Sequence, residues 1–333
     1  MFKNTEQHNK NDIELKGVPS ESITQISWSP TANHLACSSW DGTINVWDPF
    51  SSVDMISKCD FQSPILCNKW NGAGTQIFCG DCSNNVHVWD VESNQTQLVG
   101  KHNAPVKCMF FTKELGSEIL ITGSWDKTIR YWDFRQQEAA AVVELPERLY
   151  TMDYSYPVLL AGCASNELII YDLNEPTKEY KRFQSPLSRQ IRTTSLFKER
   201  DGVFIGSIDG RCSVKYFEEK TKSKKTFQFK CHHQKNNVYP INEISVNPEY
   251  GTFSTCGGDG RFFFWCKISK SKLGSSCQFE NPICCSQYNK DGNIFAYSIG
   301  YDWHQGSHIY KNSTKKVRLC LHEMESKELF KDK

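Results

Sequence analysis

Hydrophobic and polar residues alternate along short segments of this 333-residue chain, and turn-forming residues separate the segments. The stretch CSSWDGTINVWD, residues 37–48, is typical of the pattern. Ile44 and Val46 point to one side of a predicted strand and Trp47 points to the other, because side chains alternate along a strand. Packing residues on both sides favour a sheet that is stacked between two neighbouring sheets.

This pattern recurs with a period of about forty residues, which is typical of repeat proteins. Three clear copies end in Trp-Asp, and their closing aspartates are 42 and 43 residues apart. Four weaker copies follow them. In order along the chain the predicted units are 23–48, 65–90, 106–133, 149–173, 191–217, 241–267 and 283–324. The period and the Trp-Asp ending predict an all-β fold, a seven-bladed WD-repeat β-propeller.

Such a ring has to be closed, because an open last blade would leave unpaired strand edges. The alternating segment at residues 11–17 is suited to add the outer strand of blade seven. We therefore expect a single propeller over residues 11–326, a flexible N-terminal tail over 1–10 and a C-terminal tail over 327–333. The last strand of blade seven is predicted only to lie between Ile309 and Met324.

Composition narrows the class of protein. The formal net charge is +1, so no global field draws the chain to nucleic acid or membrane. The apolar runs are much shorter than the roughly 20 residues of a membrane helix, and we expect no membrane insertion. The 15 cysteines are an odd number in a long chain without an apolar leader, which favours reduced thiols in an intracellular protein.

Motifs for catalysis are not found. The chain has no phosphate-binding glycine loop and no Gly-x-Ser-x-Gly, and LHEMESKEL has one histidine where a zinc protease helix needs two. Cys79 and Cys82 have the spacing of half a zinc site, and Cys231, His232 and His233 are adjacent. No second Cys-x-x-Cys completes four ligands, so a metal site is not favoured. We expect neither an enzyme nor a cofactor.

The two tryptophans of residues 37–48 have different predicted roles. In the third repeat, His102, Ser124, Asp126 and Trp132 fall where WD-repeat proteins have a buried hydrogen-bonded network. By analogy with Trp132, the tryptophan that closes the first repeat is structural. The tryptophans that precede the turn aspartates, Trp40 and Trp125, are expected on the top face, where they either bind a partner or pack locally.

A lysine-rich segment stands out between residues 215 and 235, with seven lysines against two glutamates. It is interpreted either as a solvated loop or as a basic patch, interleaved with Phe227 and Phe229, that receives an acidic peptide or an RNA backbone. The candidate cations of this patch are Lys220, Lys222, Lys224, Lys225 and Lys230.

Several stretches outside the general WD pattern carry a family resemblance. They are, in order, GSWDKTIRYWD, LPERLYTMDYSYP, SPLSRQIR, GSIDGRCSVKYF, TFQFKCHH, DGRFFFW and GNIFAYSIGYDW. Over nearly its whole length the chain resembles the RNA export factor family of WD-repeat nuclear-pore proteins. A sister family, the WD-repeat protein of the mitotic spindle checkpoint, shares some of these stretches, but LPERLY and GYDW are similar to the export family.

The resemblance implies a non-enzymatic adaptor that supports mRNA export. Such a protein binds the GLEBS segment of an FG-repeat nucleoporin across its top face, and it is found in the nucleus, at the nuclear pore and in the cytoplasm. Carboxylates of that segment would meet basic side chains beside aromatic ones. The matching positions in this chain are Trp40, Trp125, Arg211, Phe229, Trp265, Lys267 and Lys270.

Two other partners stay open from the sequence. One is a spindle-checkpoint kinase that carries a GLEBS-like segment, and the other is messenger RNA or a messenger ribonucleoprotein at the lysine-rich segment. The chain also departs from the family pattern, since Cys266 stands where an aspartate is usual and leaves Lys267 without that neighbour.

Overall fold

The computed structural model describes residues 12–218, 225–303, 306 and 316–330. Within these residues the strands form seven four-stranded antiparallel sheets and one two-stranded hairpin. The first strands of successive sheets contact one another, and those of the first and last sheets also meet. The chain is therefore a closed seven-bladed propeller, as the repeat pattern predicted.

Each blade begins with the three strands that the repeats predicted. The inner strands line the axis of the ring: β2 (Ile23–Trp28), β6 (Ile65–Trp70), β10 (Val106–Thr112), β14 (Leu149–Ser155), β18 (Ile191–Leu196), β24 (Ile241–Val246) and β28 (Ile283–Tyr288). The second strands are β3 (Leu35–Ser39), β7 (Gln76–Asp81), β11 (Ile119–Ser124), β15 (Val158–Cys163), β19 (Gly202–Ser207), β25 (Phe253–Gly257) and β29 (Ile294–Ile299). The third strands are β4 (Thr43–Trp47), β8 (Asn85–Asp90), β12 (Thr128–Asp133), β16 (Glu167–Asp172), β20 (Arg211–Tyr216), β26 (Phe262–Cys266) and β30 (Arg318–Glu323).

A fourth, outer strand completes each sheet and lies beyond the closing Trp-Asp of the repeat. These strands are β5 (Met55–Asp60), β9 (Gln95–Lys101), β13 (Ala141–Glu144), β17 (Glu179–Gln184), β21 (Phe227–Lys230), β27 (Ser271–Ser275) and β1 (Ile13–Glu14). The hairpin, β22 (His233–Gln234) and β23 (Asn237–Val238), follows β21. Outer strands are largely exposed, so they lack the buried pattern by which the other three were predicted.

The turns between second and third strands all lie at one end of the ring, here called the top face. Each of the seven turns donates one backbone N–H to the carbonyl of the loop that enters the same blade, over 2.9 to 3.1 Å. The donors are Trp40, Cys82, Trp125, Ala164, Ile208, Gly258 and Gly300, and the acceptors are Ser22, Pro64, Pro105, Arg148, Gln190, Pro240 and Pro282. This repeated bond sets which residue of each turn faces the axis.

The first of these turns needs glycine. Gly42 has a φ of +82°, and a Cβ added there would lie 2.7 Å from the carbonyl oxygen of Phe61. A side chain would therefore be strained by backbone conformation and by contact. This is the physical reason for the Asp-Gly pair in the repeat.

The N-terminal strand closes the ring. Ile13 pairs with Leu321 and Glu14 with Cys320, so β1 is the outer strand of blade seven. The paired segment is shorter than the predicted 11–17, because Lys16 turns away and donates its N–H to Val53 in blade one over 2.8 Å. The predicted closure is confirmed, while residues 1–11 lie outside the described residues.

The C-terminal end packs on the same closure. A short helix, Ser326–Leu329, follows β30. The two ring nitrogens of His322 donate to the carboxylates of Asp12 over 2.7 Å and Glu328 over 2.9 Å when the ring is protonated. Residues 327–330 thus differ from the predicted tail, since Leu329 packs against the apolar cluster of blades six and seven. Burial lowers the pKa of His322, but hydrogen bonds to Asp12 and Glu328 raise it more, to about 9.

We predict that stability falls as pH rises across this histidine. Its pKa is raised in the fold above its ordinary 6.5, so its contribution is complete below pH 6.5 and is lost as pH rises through 9. The free energy of unfolding of the wild type, measured with denaturant, should decrease by up to about 3 kcal/mol over this interval relative to His322→Gln. His34→Gln, in blade one, is the control and should keep the wild-type slope. Equal pH dependence in the wild type and His322→Gln would contradict the prediction.

Candidate partner-binding surfaces

A buried polar chain holds the third blade together. Trp132 donates its indole N–H to Thr122 over 2.7 Å, Thr122 meets Nε2 of His102 at 2.7 Å, and Nδ1 of His102 meets Asp126 at 2.9 Å. The network predicted from the sequence is present, and Thr122 is an additional member that the sequence analysis did not include. The Ser124 hydroxyl donates to the carbonyl of Ala104 over 2.9 Å and accepts the backbone N–H of Asp126 over 3.0 Å.

The pKa shifts of Asp126 and His102 indicate that this network stabilises the fold. Burial raises the pKa of Asp126. Hydrogen bonds from His102, Asn103 and Thr128 together have the larger effect and hold the pKa well below its usual range. Burial lowers the pKa of His102, although its bond to Asp126 opposes that shift. An anionic carboxylate that is held by donors from three residues stabilises the turn.

The same network occurs in blade six and was missed in the sequence. His232 meets Asp259 at 2.8 Å and Thr255 at 3.1 Å, and Trp265 donates its indole N–H to Thr255 over 3.0 Å. His232 is therefore a core histidine rather than part of a Cys-His-His metal site. His232 lies 23 residues before Thr255, and His102 lies 20 residues before Thr122. This similar spacing is the signal that could have identified His232 as the equivalent histidine.

The top face has an aromatic mouth. Trp40, Trp125 and Ile208 occupy the equivalent turn position in blades one, three and five and line a cavity of about 410 Å³ at the axis. Trp40 is 39% and Ile208 44% exposed. Trp303 of blade seven completes the mouth with its ring 5.5 Å from that of Tyr301. Trp303 was missed as a site residue, although GYDW stands at the turn of blade seven.

A second surface runs down the side of the ring between blades five and six. Phe229 on β21 packs edge to face on Trp265, with ring centres 4.7 Å apart. Arg211 stands at the top of this pair, 39% exposed, with its Nε 3.4 Å from Asp209. Phe227 stacks below Phe229 at 6.1 Å. This set, which we call the side stripe, also includes Lys270, whose ammonium lies 4.7 Å from the centre of the Phe227 ring.

The expectation of one top-face patch is corrected by this geometry. Third strands run from the top face to the opposite end, so Lys267 and Lys270, which follow β26, lie at that opposite end. Lys267 is only 7% exposed; its ammonium lies 4.8 Å from the centre of the Phe197 ring and pairs with Glu199 of blade five. Glu199 thus supplies the negative neighbour that Cys266 does not.

The lysine-rich segment is described only in part. Lys220, Lys222 and Lys224 lie outside the described residues. Lys225 is exposed just before β21, and the exposed Lys230 pairs across the sheet with Arg211. The two described lysines therefore stand at the two ends of the side stripe.

The repeats and the ring define the class of this protein as a WD-repeat β-propeller. The WD domain, G-beta repeat family matches residues 13–48 and 94–133. No helix in the described part of the chain is both long and apolar enough to cross a membrane.

Relatives that match nearly the whole chain show the family to which it belongs. The Poly(A)+ RNA export protein of Schizosaccharomyces pombe is 39% identical over 96% of this chain and 92% of its own length. The mRNA export factor GLE2 of Chaetomium thermophilum is 39% identical over 94% and 90%, and Protein Rae1 of Drosophila melanogaster 37% over 96% and 96%. The chain belongs to the RNA export factor family of WD-repeat proteins, as the motifs indicated.

We predict that truncation of the two tryptophans of blade one lowers the stability of the fold by very different amounts. Trp47 is fully buried and donates its indole N–H to the carbonyl of Lys16 over 2.7 Å, so Trp47→Ala should lower the free energy of unfolding by about 4 kcal/mol. Trp40→Ala should lower it by less than about 1 kcal/mol, because its ring is partly in solvent. Urea unfolding followed by circular dichroism measures both. A Trp40→Ala variant as unstable as Trp47→Ala would assign Trp40 to the core.

Proposed function

We propose that this chain is a non-enzymatic adaptor that binds a GLEBS-type segment of an FG-repeat nucleoporin and supports mRNA export at the nuclear pore. The observation that carries the proposal is the pairing of aromatic and cationic side chains on the side stripe, close below the aromatic mouth. The names of the relatives, which are export proteins and export factors, support the biological role. They also favour the export family over the sister checkpoint family and its kinases.

The two surfaces suit one elongated acidic segment. At the mouth, Trp40 and Trp125 offer apolar contact to a turn or a short helix of the partner. Arg211, which is oriented by Asp209, then offers a guanidinium to a carboxylate on the same stripe as the packed Phe229 and Trp265 rings. Apolar contact of the partner with these rings would exclude water from a neighbouring ion pair and strengthen it. Lys270 continues the positive charge to the far end of the side stripe.

Lys267 is given a different role within this proposal. Its burial and its bond to Glu199 suit it to join blades five and six, and so to hold β26 beside β21. Binding at the side stripe would then depend on Lys267 through the position of Trp265.

The central test is a charge reversal at the side stripe. Arg211→Glu should weaken binding of a GLEBS peptide, measured by isothermal titration calorimetry, by at least about 100-fold, because the variant sets a carboxylate against a carboxylate. Arg135→Glu is the matched control, since Arg135 pairs with Asp133 on blade three, and should bind as the wild type does. Equal affinity of Arg211→Glu and wild type would remove the side stripe from the site.

Direct RNA binding is a second candidate function, favoured by the exposed Lys225 and Lys230 at the ends of a column of phenylalanines. Bases can stack on such rings while lysines contact phosphates. The affinity for a single-stranded RNA should fall steeply with salt, and Lys225→Gln with Lys230→Gln should reduce the slope of log affinity against log salt by about 1.4. Lys58→Gln, on the outer strand of blade one, should leave the slope unchanged. RNA binding that is insensitive to salt would exclude this mode.

A further inference from the structure

A channel runs along the axis of the ring. The cavity at the top mouth and a larger cavity of about 710 Å³ below it share Lys107, Arg192 and Glu243 in their linings. The two cavities are therefore one continuous passage, lined by inner strands. Its volume is in the range of small-molecule sites in proteins.

Three cations in the described part of the channel form no direct ion pair with a carboxylate. Lys69, Lys107 and Arg192 come from the inner strands of blades two, three and five. Among the described residues, none of the three has an Asp or Glu oxygen within 4.0 Å. The ammonium of Lys69 instead lies 5.1 Å from the centre of the Phe110 ring. Asp153 and Glu243 act on Lys69 through space, and Lys107 acts on Glu243. Because no direct ion pair forms, an anion that enters the cavity would meet three cations that can donate hydrogen bonds to it.

Three carboxylates of the described residues line the channel, and all three are bound to other groups. Asp302, in the upper cavity, accepts a hydrogen bond from the side-chain amide of Asn242 over 2.9 Å. Asp153 accepts the backbone N–H of Leu196 over 2.6 Å and of Tyr154 over 2.8 Å. Glu243 accepts the hydroxyl of Thr193 over 3.0 Å. Burial raises the pKa of Glu243 to about 7, against the lowering effects of Thr193 and Lys107, so its negative charge is incomplete at neutral pH.

The charge of the whole larger cavity is positive. Six Lys or Arg side chains line it against two carboxylates. Three of the six are those of the channel, and the others, Lys198, Arg200 and Lys290, stand at its lower opening. An anion would therefore meet cations from the entrance to the centre of the ring.

We propose that the axial channel is a binding site for a small molecule that carries adjacent phosphate groups. Phosphate oxygens point in several directions, which suits cations that converge from three different blades, and each contact would be a charge-assisted hydrogen bond. The site is distinct from the side stripe, since it uses the inner strands, whereas the side stripe lies on the third and outer strands of blades five and six, and it requires no chemical step.

Calorimetric titration of the full chain with sodium tripolyphosphate tests the assignment. One equivalent should bind, and Lys107→Met with Arg192→Met should weaken the affinity at least 10-fold. Lys225→Met with Lys230→Met, which changes the basic patch, and Lys58→Met, which changes an ion-paired surface lysine, should bind as the wild type does. Absence of stoichiometric binding, or a loss of affinity in the patch variant alone, would overturn the proposal.

A measurement on the unaltered chain covers the case in which the channel variant does not fold. Lysine acetylation by a reactive ester, read by mass spectrometry, should slow at least 5-fold at Lys107 when tripolyphosphate is present and should be unchanged at Lys58. Equal acetylation of Lys107 with and without tripolyphosphate would contradict binding in the channel.

Competition identifies the source of the phosphates. ATP and inositol hexakisphosphate should each displace tripolyphosphate. The one that binds with the higher affinity identifies the ligand class as nucleotides or as inositol phosphates. Citrate that binds as tightly as tripolyphosphate would overturn the phosphate assignment. A ten-nucleotide RNA that displaces it at equal phosphate concentration would assign these cations to nucleic acid instead.

Discussion

The structure depends on one constraint, which is that each of the seven sheets has to cover both of its faces with a neighbour. A linear stack would leave the outer faces of its two end sheets in water, and closure into a ring covers them. The pairing of Ile13 with Leu321 is the contact at which that closure is made. The bond from Trp47 to the carbonyl of Lys16 then joins the closing segment to blade one. Fold and closure are thus held by the same tryptophan that ends the repeat.

The repeat serves two purposes with one set of positions. The seven top-face hydrogen bonds hold the backbone of every turn in the same way, so the side chain at the donor residue is free to vary. Blades one, three and five use that freedom for Trp40, Trp125 and Ile208, which form the mouth. Blades two, four and six have small residues there. A surface suited to binding therefore costs the scaffold little.

Much of this could be predicted from the sequence, because buried strands and tight turns leave local signals. The first three strands of each blade, the Asp-Gly turns and the closing N-terminal strand follow from the alternation of apolar and polar residues and from the spacing of the repeats. Outer strands could not be placed in this way, since they are exposed and polar. The buried position of Lys267 could not be predicted from the sequence either. Its partner Glu199 is 68 residues away in the chain, and only the packing of blade six on blade five brings the two together.

Hydrogen exchange of the chain with and without a GLEBS peptide tests the central claim most directly, which is that one acidic segment occupies both the mouth and the side stripe. The account predicts slower exchange in fragments that contain the turns at Trp40 and Trp125 and in the fragment over Phe227–Lys230. Exchange in the outer strand of blade two, Gln95–Lys101, should stay unchanged. Protection confined to other blades, with these three fragments unaffected, would contradict it.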